Sequence, residues 1–159
     1  MSPRILAIAT GTLLIAGWTG RPARPTDHRA MTYVARMTGA AETPANNTKG
    51  TGTATFTLDG KKLQFTVDVH DLTGAPTAAH IHVGAAGVAG PPVYTFALKA
   101  GSGMSGTIST GTVDLARDAS AGVSGDSLTK LLNNGNAYVN VHTKNFPAGE
   151  IRGQIVMKM

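Results

Sequence analysis

The chain has 159 residues, a formal net charge of +5 and no cysteine, so it holds one domain plus a leader and excludes disulfides, thiolate metal sites and a cysteine nucleophile. Arg4, Arg21, Arg24 and Arg29 against Asp27 supply three of the five positive charges. The remaining +2 is scattered over residues 31–159 without clusters or interleaved aromatics, which argues against nucleic-acid binding.

Residues 2–18 read as a secretory signal, with Arg4 as the basic end and ILAIATGTLLIAGW (5–18) as the apolar stretch. As a helix that stretch would rise about 21 Å, too short for a hydrocarbon core of about 30 Å. A secreted or periplasmic location follows, with an uncleaved anchor as the alternative because no small-x-small triplet marks a cleavage site. TGRPARPTDHRA (19–30) is Pro- and Arg-rich and reads as a linker, so the division is 1–30 leader and linker, 31–159 folded domain.

From Met31 the pattern is β. In TGTATFTLDG (51–60), Ala54, Phe56 and Leu58 alternate with threonines, and Asp59-Gly60 marks a turn. KLQFTVDVHDL (62–72) alternates again, so the two runs predict a hairpin. Further short strands are expected near 78–83, 93–98, 106–113, 137–143 and 150–158. SLTKLLNN (127–134) is the one helical piece: Leu128, Leu131 and Leu132 share a face, Asp126 or the preceding Ser124-Gly125 caps it, and Gly135 ends it. The expected fold is all-β, a Greek-key β-sandwich or barrel of about eight short antiparallel strands with one short helix.

Two stretches carry the chemistry. In Ala79-His80-Ile81-His82 and Val139-Asn140-Val141-His142 the histidines alternate with apolar residues. In a strand this puts His80 and His82 on one face with Cα atoms about 7 Å apart, close enough for the rings to converge. With His142 from a second strand they form a candidate site for Cu(II) or Zn(II), completed by water or Glu150. The competing reading is a hydrogen-bonded cluster tied to Asn140, Thr143, Glu150 or backbone carbonyls. Glu150 and Arg152 in GEIRGQI share a face by alternation, and a Glu–Arg pair pinning the last strand is the simpler role for them. Gly84, Gly87 and Gly90 open no helix, so they suit a wide loop beside the histidines rather than a phosphate cradle. Glu42 is either a further carboxylate ligand or a solvated turn residue. His70 is expected to be exposed, and His28 falls in the linker. No serine sits in a nucleophile elbow, and no catalytic residue is assigned.

AETP (41–44), GTATFTLDG (52–60), LQFTVDVHDLTG (63–74), TAAHIHVGAAGVAGPPV (77–93) and GNAYVNVHTKNFPAGEIRGQI (135–155) together resemble the chordin (CHRD) domain family, in family order and over nearly all of the domain. The resemblance implies a β-sandwich, found in an animal morphogen-binding protein and as a stand-alone exported domain of bacteria, and it implies no activity. FTVDVHDLTG and AHIHVG are also similar to part of the copper-zinc superoxide dismutases. The domain lacks the histidines for that two-metal site and the cysteines of that family, so dismutase chemistry is not expected.

The leading expectation is a non-enzymatic binding module outside the cell, holding Cu or Zn through His80, His82, His142 and Glu150. An alternative is a structural module that binds a protein or surface polymer and uses its histidines structurally. The third is metal-dependent redox or hydrolytic catalysis.

Overall fold

The computed structural model describes residues 29–117 and 123–158. The leader and most of the linker lie outside the described residues, as does His28. The strands are β1 (Met31–Thr38), β2 (Thr51–Asp59), β3 (Lys62–His70), β4 (Pro76–Val83), β5 (Pro92–Thr95), β6 (Gly106–Asp114), β7 (Ala137–Thr143) and β8 (Ile151–Met157). One helix, α1, spans Gly125–Asn133. All eight strands belong to one curled antiparallel sheet in the order β5-β4-β7-β8-β1-β2-β3-β6, so the fold is all-β as expected.

Period-two alternation builds the inner face. Ala54, Phe56 and Leu58 of β2 and Leu63, Phe65, Val67 and Val69 of β3 are buried, while the threonines between them face outward. The β2–β3 hairpin pairs Ala54 with Val67 and Phe56 with Phe65. Ala79 and Ile81 of β4, Val139 and Val141 of β7, and Ile151 and Ile155 of β8 complete the lining.

The expected strand at 93–98 stops at Thr95. Beyond it the chain changes partners: the Phe96 amide still donates to Ala79 of β4, but the Lys99 amide donates to Ile108 of β6 at 2.8 Å. Ser109 Oγ donates to the Ala97 carbonyl at 2.7 Å. This segment therefore draws the two sheet edges together. Phe96 packs between them, with ring centroids 5.0 Å from Phe65, 5.3 Å from Tyr94 and 6.4 Å from Phe56.

The helix is capped by Ser124, whose side chain accepts from the Ser127 amide at 3.2 Å. Asp126 instead forms an exposed ion pair with Lys61. At the other end Gly135 takes φ +65°. The Asn136 amide donates to Leu131 and the Gly135 amide to Leu132, which closes the terminus in a Schellman motif. Leu128 and Leu132 are buried, and Leu131 packs against the core from a half-buried position.

Removing the ring that joins the edges is expected to be costly. Phe96→Ala should destabilise the fold by about 3–5 kcal/mol. Urea unfolding checks this: the midpoint should fall with little change in slope, and a loss under about 1 kcal/mol would show that the seam does not depend on Phe96.

Candidate functional site

The outward face of β4, β7 and β8 carries buried polar side chains. Cross-strand register sets it out in rows: Ala78 opposite His142, His80 opposite Asn140, and His82 opposite Tyr138. Asn140 and Tyr138 in turn face Arg152 and Gln154 of β8. Asn140, Tyr138 and Arg152 are buried although they point away from the core. They are covered by the loop after β4 and by the segment around Glu42 and Thr43, as their hydrogen bonds show. The three histidines are half-buried.

The structure brings His80, His82 and His142 together, with one ring nitrogen from each inside a group whose members lie within 4.8 Å of one another. His80 Nδ1 and His142 Nε2 are 3.2 Å apart. His142 Nδ1 lies 3.0 Å from the Pro147 carbonyl, and His82 Nδ1 lies 2.8 Å from the Gly90 carbonyl. A carbonyl only accepts, so both rings carry a proton on Nδ1, and in the neutral imidazole Nε2 is then the bare nitrogen. His82 Nε2 is buried with no partner. Burial, followed by the neighbouring imidazoles, lowers the His80 pKa. Burial also lowers that of His82, against the pull of the Gly90 carbonyl. In His80 and His82 the neutral imidazole is therefore favoured.

A stack supports His82 from behind. Its ring lies on Tyr138 at 4.9 Å with an 11° interplanar angle, and the Arg152 guanidinium sits 3.5 Å from the centre of the Tyr138 ring. Arg152 Nη2 donates to the carbonyls of Ala85 and Val88 at 3.0 and 2.9 Å, and Nη1 to Thr43 Oγ1 at 3.3 Å. Gly90 must approach closely: a Cβ there would run into the Val83 carbonyl. Gly87, at φ +77°, turns the loop.

Glu150 does not join the histidines, and it does not pair with Arg152. Its carboxylate is fully buried and accepts from Thr48 Oγ1, the Thr73 amide, Thr73 Oγ1 and Thr143 Oγ1, at 2.8, 2.8, 2.8 and 2.5 Å. The reason is local. Gly149 takes φ +136° and β8 starts only at Ile151, so the alternation that placed Glu150 beside Arg152 does not extend to it. Burial pushes the Glu150 carboxyl up, but the hydrogen bonds from Thr143, Thr73 and Thr48 outweigh it and hold it below the usual range.

Glu42 is half-buried rather than solvated, and it accepts from Asn140 Nδ2 at 2.6 Å. Burial raises its pKa to about 7, against the pull of Arg152, the Thr43 amide and Asn140. Among the described residues neither Glu42 nor Glu150 belongs to the convergent group. His70 is exposed at the end of β3. Sequence reasoning did not anticipate the Arg152–Tyr138–His82 stack. Its signal was one further step of the alternation that placed Asn140 and His142 on one face.

The family model described as the CHRD domain matches residues 33–155. No curated protein and no solved structure matches the chain. No helix among the described residues is long and apolar enough to cross a membrane.

Two expectations follow from the acids. Glu150→Gln should destabilise the fold by about 2–3 kcal/mol, because an amide cannot accept all four donors. Glu150 is held low in the fold, so its contribution is complete above its ordinary value of 4.5 and is lost as pH falls through the folded value. The gap between wild type and variant should therefore close in acid, and a gap unchanged down to pH 2 would contradict this. Glu42 has the opposite sign. The folded state keeps its proton up to about pH 7 while the unfolded chain releases it near 4.5, so its contribution falls across that window. In chelator, Glu42→Gln should flatten the decline in stability between those two pH values. A curve parallel to wild type would contradict the raised carboxyl.

Proposed function

The chain belongs to the CHRD domain family, and we propose that it is an exported, non-enzymatic binding module that holds one Zn(II) or Cu(II) through His80, His82 and His142. The convergence of the three ring nitrogens carries this reading. Two nitrogens on a tetrahedral zinc, each at about 2.0–2.1 Å, stand about 3.3 Å apart. His80 Nδ1 and His142 Nε2 are 3.2 Å apart. Backbone carbonyls take the other nitrogen of His82 and of His142, the outer-shell arrangement that fixes metal-binding imidazoles. The orphaned His82 Nε2 supplies the third donor. An all-nitrogen set without sulfur suits Zn(II) and Cu(II) rather than Cu(I). Export rests on the leader at residues 2–18.

A second reading draws on the same contact. The His80–His142 approach is also an ordinary hydrogen bond. On that reading the histidines are structural, and the module binds a protein or surface polymer through its sheet.

Calorimetric titration of the metal-stripped full chain with Zn(II) and Cu(II) separates the two. Metal binding predicts one equivalent, a raised Tm, and at least a hundredfold weaker binding in both His82→Ala and His142→Ala. No stoichiometric binding, together with a lower metal-independent Tm in the variants, would favour the structural reading.

A further inference from the structure

The donor set is short by one. Structural zinc sites are closed by four protein ligands, whereas sites with three keep a position for an exchangeable ligand. Among the described residues no carboxylate, cysteine or further histidine joins the three rings. The two acids that the sequence offered are engaged elsewhere, Glu150 by Thr48, Thr73 and Thr143 and Glu42 by Asn140. Asn140 lies opposite His80 in register and has a buried Oδ1 with no donor. The usual protein donors to zinc are thiolate, imidazole and carboxylate, and a neutral amide oxygen is not among them.

Charge then selects the chemistry of the fourth ligand. Three neutral imidazoles leave the full 2+ of the metal uncompensated. Arg152 adds a buried positive charge on the same face, satisfied by carbonyls, a hydroxyl and a ring rather than by an acid. The three residues are half-buried rather than enclosed, although His82 Nε2 itself is buried. A bound 2+ ion and Arg152 together leave a net positive charge around the open position, which the Glu42 carboxyl hydrogen-bonded to Asn140 does not cancel.

Resting on the metal-binding reading, we propose that the metal held by His80, His82 and His142 keeps an exchangeable fourth position that takes a small monodentate anion, a carboxylate in particular. Water fills it when no anion is present. The carboxylate comes either from a free organic acid or from an Asp or Glu side chain of a partner protein, and the shared chemistry is one oxygen donor with one negative charge.

Cobalt(II) loading of the full chain tests this, because the visible d–d spectrum of Co(II) reports binding and coordination separately. Azide and acetate are then added at constant ionic strength, beside an Asp-containing peptide with blocked ends and its Asn counterpart. The expected result is a saturable spectral shift with azide and acetate. A shift at lower concentration with the Asp peptide, absent with the Asn peptide, would assign the carboxylate to a partner. Equal potency of acetate and Asp peptide would assign it to free acids. Cobalt that binds with a tetrahedral spectrum that no anion alters would overturn the proposal and leave the metal site standing. If Asn140→Ala then restored the anion response, the amide oxygen would be the fourth ligand. Failure of both Co(II) and Zn(II) to bind would overturn the proposal together with the metal reading beneath it.

Discussion

The buried guanidinium of Arg152 is the interaction on which the outer polar layer depends. Taking a cation out of water costs several kcal/mol unless the protein replaces its hydration. Here the replacement is neutral: two loop carbonyls, a threonine hydroxyl and the face of Tyr138. The partners come from three parts of the chain, the loop after β4, the segment at Thr43 and β7, so satisfying one side chain ties three segments to β8. The loop after β4 lies over the sheet because its Ala85 and Val88 carbonyls are held there, and that loop then offers Gly90 to His82. The orientation of His82 therefore follows from Arg152 through both the loop and the stacked Tyr138 ring.

Glu150 does the matching work with the opposite charge. Its carboxylate draws hydroxyls and an amide from the segments before β2 and after β3 and from the end of β7. The chain thus buries an anion and a cation two residues apart without letting them touch. A direct ion pair would have used both charges on one contact. Kept apart, each organises its own set of neutral groups, and the two sets tie down loops in different parts of the fold. Four hydrogen bonds to an ionised carboxylate, each stronger than a neutral one, are what make burial tolerable there.

Much of this was legible as period-two alternation. The β2–β3 hairpin, the inward aliphatic rows and the common face of His80, His82 and His142 all follow from it, because register in a half-buried strand leaves side chains no choice of face. The rule fails where the backbone leaves the strand. Gly149 at positive φ turns Glu150 out of the alternation, and no apolar pattern announces that turn. The run at 93–98 reads as a single strand but divides between β4 and β6, since strand pairing is decided by distant partners that a local pattern does not contain. Glu42 reads as a ligand or a solvated turn residue, but it is half-buried with Asn140, nearly a hundred residues away in the chain, as its hydrogen-bond donor.

The hydrogen bond between His80 and His142 makes the metal and structural readings compatible. In a neutral His142 that holds its proton on Nδ1 against Pro147, Nε2 accepts and His80 donates from Nδ1. In the metal-free protein a single proton therefore occupies the gap between two nitrogens that already stand at the spacing a tetrahedral cation requires. Exchange of that proton for a metal needs His80 only to move its proton to Nε2, a change of tautomer without change of charge. The carbonyls of Gly90 and Pro147 already fix the rings of His82 and His142. A site arranged this way loses little conformational entropy on binding, since the ordering was completed when the sheet and its loops folded. On the metal-binding reading, the structural histidine cluster is the preorganised apo form of the site.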